Sequence, residues 1–134
     1  MKALEVLKKV QSSEVIISDE TQRFPEAACD GDGMRQGDVY IWKRDKLPKN
    51  VSAAKCVLQL APGTTKGSRH ILDSGEGVSM YVVDDADELQ GPWMNLDCAR
   101  TVTHPEHGDI VLPAGCYEIT YQRAYADELR RVRD

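Results

Sequence analysis

Residues 108–123 read GDIVLPAGCYEITYQR, and this stretch decides the fold. Ile110, Val111 and Leu112 are β-formers set between a Gly-Asp step and a Pro-Ala-Gly turn. Proline fixes φ and glycine permits φ > 0, so the chain reverses at 113–115. A second run of strand type follows from Cys116 to Arg123. Two short strands joined by a tight turn are the unit of an antiparallel sheet.

The same pattern extends toward the N-terminus. ARTVTH (99–104), GVSMYVVDD (77–85) and KCVLQLAP (55–62) read as strands, and HILD (70–73) as the start of one. GDVYIWK (37–43) alternates, with Val39 and Ile41 to one side and Tyr40 and Trp42 to the other. EVIIS (14–18) suits a short strand. Asp19 to Gly37 is polar, carries Asp-Gly-Asp-Gly at 30–33, and reads as a long loop. Leu4, Leu7 and Val10 have helical spacing within Ala3–Gln11. YADELRRVRD (125–134) places acids early and arginines late, as a helix dipole favours. The expected architecture is mainly β, a single domain over 1–134. It is an antiparallel barrel or sandwich with short N- and C-terminal helices.

The totals narrow the function. A chain of 134 residues, 41% hydrophobic and 29% charged, is long enough to bury a core. Its net charge of −5 disfavours general nucleic-acid binding, which needs a concentrated basic face. No apolar run has the length of a membrane span, and the N-terminus lacks the pattern of a signal peptide. The expected location is therefore cytoplasmic. Cys29, Cys56, Cys98 and Cys116 form no Cys-x-x-Cys pair and read as reduced thiols. Cys98 and Cys116, on or beside strands, are expected to behave as small buried hydrophobes.

The candidate chemistry centres on the three histidines. HPEHGD (104–109) holds two of them where a strand ends and Pro105 starts a turn. With His70, His104 and His107 offer three imidazoles for a divalent metal, zinc or iron, and Glu106 or Asp109 offers an oxygen. The competing reading is a polar turn in which Asp109 only fixes the backbone. GDIVLPAGCYEI also resembles the second half of a cupin-type β-sandwich motif. There a Gly-Asp opens a strand and Pro-x-Gly turns the chain back toward a metal. This chain departs from that pattern: no His-x-His followed by Glu stands upstream, and no histidine follows the turn.

GTTKGSRH (63–70) is a second polar loop. Its backbone amides, Lys66 and Arg69 suit an anion, but its spacing is not that of a Walker A loop. Lys66, Arg69 and His70 beside His104 and His107 would resemble a metal-free phosphodiesterase pocket in kind. DGDG at 30–33 lacks the later ligands of a calcium loop. Arg130 and Arg133 suit a solvated helix face, and Trp42, Trp93, Tyr121 and Tyr125 suit core or rim positions.

Two functional classes remain. One is a binding or accessory module for a ligand or protein partner, using loops 63–70 and 104–109. An exposed edge strand would also allow a homo-oligomer. The other is a small enzyme with a histidine-centred site. No complete catalytic motif is present, so the binding module is the favoured expectation.

Overall fold

A computed structural model describes residues 21–133, with side chains through Glu128. The helix expected at 3–11 and the strand expected at 14–18 lie outside the described residues. Ten strands and one helix follow in order. They are β1 (Gln22–Arg23), β2 (Gly33–Gln36), β3 (Val39–Arg44), β4 (Val51–Ala54) and β5 (Ile71–Leu72). Then come β6 (Val78–Val83), β7 (Gln90–Leu96), β8 (Arg100–Thr103), β9 (Ile110–Leu112) and β10 (Gly115–Tyr121). The helix α1 spans Arg123–Arg133. The opening stretch is thus β9, a turn and β10. The turn is held by the Tyr117 hydroxyl, which donates to the Pro113 carbonyl at 2.8 Å.

The strands form two sheets, ordered β1-β9-β8-β5 and β2-β3-β10-β7-β6-β4. Both are open at their ends, so of the two expected architectures the sandwich is the one adopted and the barrel is not. All pairings are antiparallel except β1 with β9, which run parallel. One core cluster joins both sheets: Ile41, Met94 and Ile119 from the larger, Leu72, Val102 and Leu112 from the smaller. Tyr125 of α1 and Leu60 of a crossing loop complete it. The alternation in β3 holds, with Val39 and Ile41 fully buried and Tyr40 and Trp42 half-buried on the outer face.

Two local expectations fail for physical reasons. The segment 55–62 is not a strand. It leaves β4 and crosses to the smaller sheet, where Gln59 makes one isolated bridge to Ile71. Its apolar run is therefore partly exposed, at Val57 and Leu58. The stretch 19–37, read as loop, holds the short strands β1 and β2. β7, a strand beyond those expected, lies beside β10 although it contains Gly91-Pro92. Proline lacks the N–H that a central strand donates. Here Gln90 faces Thr120 and Trp93 faces Glu118, so β7 carries one extra residue, a bulge at Gly91-Pro92. On the other side, pairing with β6 stops at Trp93 opposite Tyr81, so nothing there requires the missing donor.

Gly91 also makes room for Tyr121. A Cβ at Gly91 would stand 2.7 Å from the Tyr121 hydroxyl and 3.0 Å from the Ile119 carbonyl. That hydroxyl donates to the Leu60 carbonyl at 2.8 Å, tying β10 to the crossing loop. Gly91→Ala is therefore expected to cost about 1–3 kcal/mol in urea unfolding by overpacking. A loss within experimental error would show that the tyrosine shifts freely.

Candidate functional site

The site forms where β2, β8 and the loop 62–70 meet at one end of the sandwich. Gln36 and Val39 are paired, leaving Gly37-Asp38 as a two-residue hairpin loop. Gly37 has φ +57°, which a glycine at the first loop position of such a hairpin supplies. Its bare Cα also accommodates the His107 ring, since a Cβ there would lie 2.6 Å from His107 Cδ2. β8 ends at Thr103, and Pro105 starts the turn 104–108, closed by Gly108 at φ +74°. The loop 62–70 tightens into a 3-10 turn at Lys66–Ser68.

The three histidines come together as a stack. The His70 and His104 rings are 4.4 Å apart and the His104 and His107 rings 4.7 Å apart. The stack runs outward: His70 is fully buried, His104 is 6% exposed and His107 is exposed. The hydrogen bonds define the tautomers. The buried Gln36 side chain donates from Nε2 to the Val102 carbonyl (3.0 Å) and the Gly108 carbonyl (2.7 Å). Its Oε1 can only accept, so His70 Nδ1, 2.7 Å away, carries the proton and donates. His70 Nε2 is then an unprotonated lone pair, buried and without a hydrogen-bond partner.

His104 has the opposite tautomer. Its Nδ1 accepts the backbone N–H groups of Glu106 (3.0 Å) and His107 (3.2 Å). The proton is therefore on Nε2, which donates to the Gly67 carbonyl at 3.2 Å. Burial pushes the His70 pKa down to about 3, helped by charge on His104 and His107 and opposed by the Gly67 carbonyl. Burial likewise lowers His104. The Gly67 carbonyl, Glu106 and Asp38 oppose that shift, and His107 adds to it. Both rings are neutral at pH 7.

Tyr125 of α1 anchors the loop. Its hydroxyl donates to the Pro62 carbonyl and shares a 2.9 Å hydrogen bond with Ser68, which in turn meets Thr65 at 3.2 Å. Burial raises the Tyr125 pKa. The remaining expected site residues stay outside: Lys66, Arg69 and Glu106 are exposed. Asp109 is half-buried, and its backbone carbonyl accepts from Gln22 N–H at the start of the β1–β9 pairing. Among the described residues no ion pair involves Lys66 or Arg69.

A family described as a domain of unknown function (DUF8820) matches residues 35–122, more than half of the chain. The chain belongs to the DUF8820 family. No curated protein and no solved structure matches it. The DUF8820 region runs from β2 to the end of β10, so it includes Gln36 and all three histidines. Tyr125 lies outside it.

Of the three histidines expected to hold a metal in this DUF8820 chain, His70 is not in the group whose ligand atoms converge among the described residues. The ring planes of the pairs His70–His104 and His104–His107 are tilted by 44° and 37°. Among the described residues His104, Glu106 and His107 do bring ligand atoms within 4.8 Å of one another. Yet both His104 nitrogens are committed to backbone groups, so a metal there would break the turn. Cys98, expected to be buried, is exposed, while Cys116 is buried and its pKa raised by burial. No helix among the described residues is long and apolar enough to cross a membrane. Gln36 and Ser68, which order the site, escaped the sequence reading. The available signal for Gln36 was its place just before the Gly-Asp hairpin.

Proposed function

We propose that this chain is a binding module whose ligand is an anionic group, taken at the rim formed by the turns 64–70 and 104–108. One observation carries this reading. The buried histidines are committed to the fold, and the exposed cations Lys66 and Arg69 flank the turn that His104 holds. His104 Nδ1, His104 Nε2 and His70 Nδ1 are hydrogen-bonded, and His70 Nε2 is sealed from solvent. None of them is placed to move a proton on a substrate, which lowers support for an enzyme. Lys66 and Arg69 are the side chains with charge to offer an anion. The module would work in the cytoplasm, alone or as a homo-oligomer.

The test is a titration with inorganic phosphate and pyrophosphate at pH 7.5, followed by amide NMR. Shifts confined to residues 64–70 and 104–109 are expected in the wild type. The double variant Lys66→Ala/Arg69→Ala should lose at least about tenfold in affinity, the size of two charge-assisted contacts weakened by solvent. Its melting temperature should stay within about 2 °C, as for exposed side chains. No shifts, or shifts that persist in the variant, would overturn the reading.

A further inference from the structure

The turn 104–107 is closed in an unusual way. Helix caps and turns commonly use Asn, Asp, Ser or Thr oxygens to accept the N–H groups two and three residues on. Here a titratable ring does it: His104 Nδ1 accepts from Glu106 N–H and His107 N–H. An oxygen acceptor is indifferent to mild acid, whereas an imidazole acceptor is not. A proton on Nδ1 replaces the lone pair with a third donor facing two donors.

We infer that His104 is a proton-operated latch: protonation at Nδ1 releases the turn Pro105–His107 while the Nε2 end stays fastened to the Gly67 carbonyl. The two ends respond in opposite directions. The Nε2–H bond to Gly67 strengthens when the ring is charged, as charge-assisted bonds do. The Nδ1 end loses both bonds. Glu106 and His107, the exposed members of the rim, are thus set free to move while the loop 62–70 keeps its place.

The groups facing His104 come from every side. The His70 and His107 rings lie 4.4 Å and 4.7 Å from the His104 ring. Glu106 and Asp38 favour the charged ring. Charge on His107 opposes it, and Lys66 and Arg69 stand on either side of Gly67 in the sequence. Tyr125, through Ser68, holds the loop but stays neutral. Asp38, on the Gly37 hairpin, and Glu106 are the partners available to a charged ring after release. That release would reshape the rim rests on the binding-module reading; the latch itself does not.

The experiment is amide hydrogen exchange by NMR on the ligand-free protein from pH 7.5 to 4.5, corrected for intrinsic exchange, with the His104 ring resonances followed in parallel. Protection at Glu106 and His107 should fall at least tenfold, with the midpoint of the His104 ring. The Leu60 amide, bonded to the His70 carbonyl, and the Phe24 amide, bonded to the Val111 carbonyl, should follow the global stability measured by urea unfolding at the same pH, with no step at the His104 midpoint. In His104→Asn, which keeps a short oxygen acceptor, protection at 106 and 107 should be flat. The latch is overturned if wild-type protection at 106 and 107 is flat, or follows only the global stability as Leu60 and Phe24 do, or falls equally in His104→Asn. If His104→Asn does not fold, the wild-type midpoint against the ring resonance decides alone. Latch release without phosphate binding would leave the latch standing and end the anion reading, and the converse result would do the reverse.

Discussion

Gln36→Met is expected to lower the unfolding free energy by about 3–5 kcal/mol, with a fall in melting temperature of at least about 10 °C. Methionine has nearly the length and volume of glutamine, so no cavity opens. What is lost is hydrogen bonding alone. The Gly108 carbonyl and the His70 Nδ1–H lose their Gln36 partner in a place water does not reach, and the Val102 carbonyl, paired with Ile110 in the sheet, loses one bond. Each orphaned buried group costs on the order of 1–3 kcal/mol. Against a total of roughly 5–15 kcal/mol for an ordinary domain, this is a large share. The loss is large because of position: Gln36 ends a strand of the six-stranded sheet, and Val102 is in the four-stranded one. One amide therefore bridges the two layers. A urea-unfolding loss below about 1 kcal/mol would mean that the two sheets do not depend on that bridge.

The second large effect is acid sensitivity from His70. Its folded pKa is about 3 and its ordinary value 6.5, so between those values the unfolded chain binds a proton that the folded one refuses. Stability therefore rises with pH across that window: it is fully present above 6.5 and lost as pH falls toward 3. At about 1.4 kcal/mol per pH unit, the drop from pH 6.5 to 4.5 is about 2–3 kcal/mol from this group. His104, whose pKa is also lowered, adds in the same direction. Carboxylates titrate in the lower part of the range, so the control is His70→Gln, which can still donate to Gln36 Oε1. Unfolding in urea at pH 7.5, 6.0, 5.0 and 4.5 should show a markedly shallower pH slope in the variant. Equal slopes would remove His70 as the cause.

The sequence exposed the parts of this molecule that follow local rules. β3, β6, β9 and β10 were legible because β-branched residues alternate or cluster between turn residues. α1 was legible because its charges follow the dipole. β7 was hidden by Gly91-Pro92, since a bulge that excuses a proline depends on the neighbouring strands. The crossing segment 55–62 looked like a strand because Cys56, Val57 and Leu58 are apolar, yet the fold leaves two of them exposed. At the site, the histidines and the two loops were recognisable from residue type. Their stacking was not, and neither were the tautomers. Those depend on Gln36, 34 residues from His70 and 68 from His104, and chain distance carries no signal for such pairing.

The order of strands has a consequence for how the chain is made. β10 is the last strand of the described residues, yet it sits inside the six-stranded sheet, between β3 and β7. β1 likewise finds its partner, β9, only some 88 positions later, Gln22 opposite Ile110. During synthesis from the N-terminus, at roughly 5–20 residues per second, the four-stranded sheet cannot close until residues past 112 have left the ribosome, nor the six-stranded sheet until residues past 121 have done so. Until then the β2–β3 hairpin and the β4–β6–β7 ribbon are separate, with open edges where β10 belongs. The nascent chain therefore carries unsatisfied strand edges for several seconds. A ribosome stalled before Gly115 would release an adhesive fragment rather than a smaller folded protein.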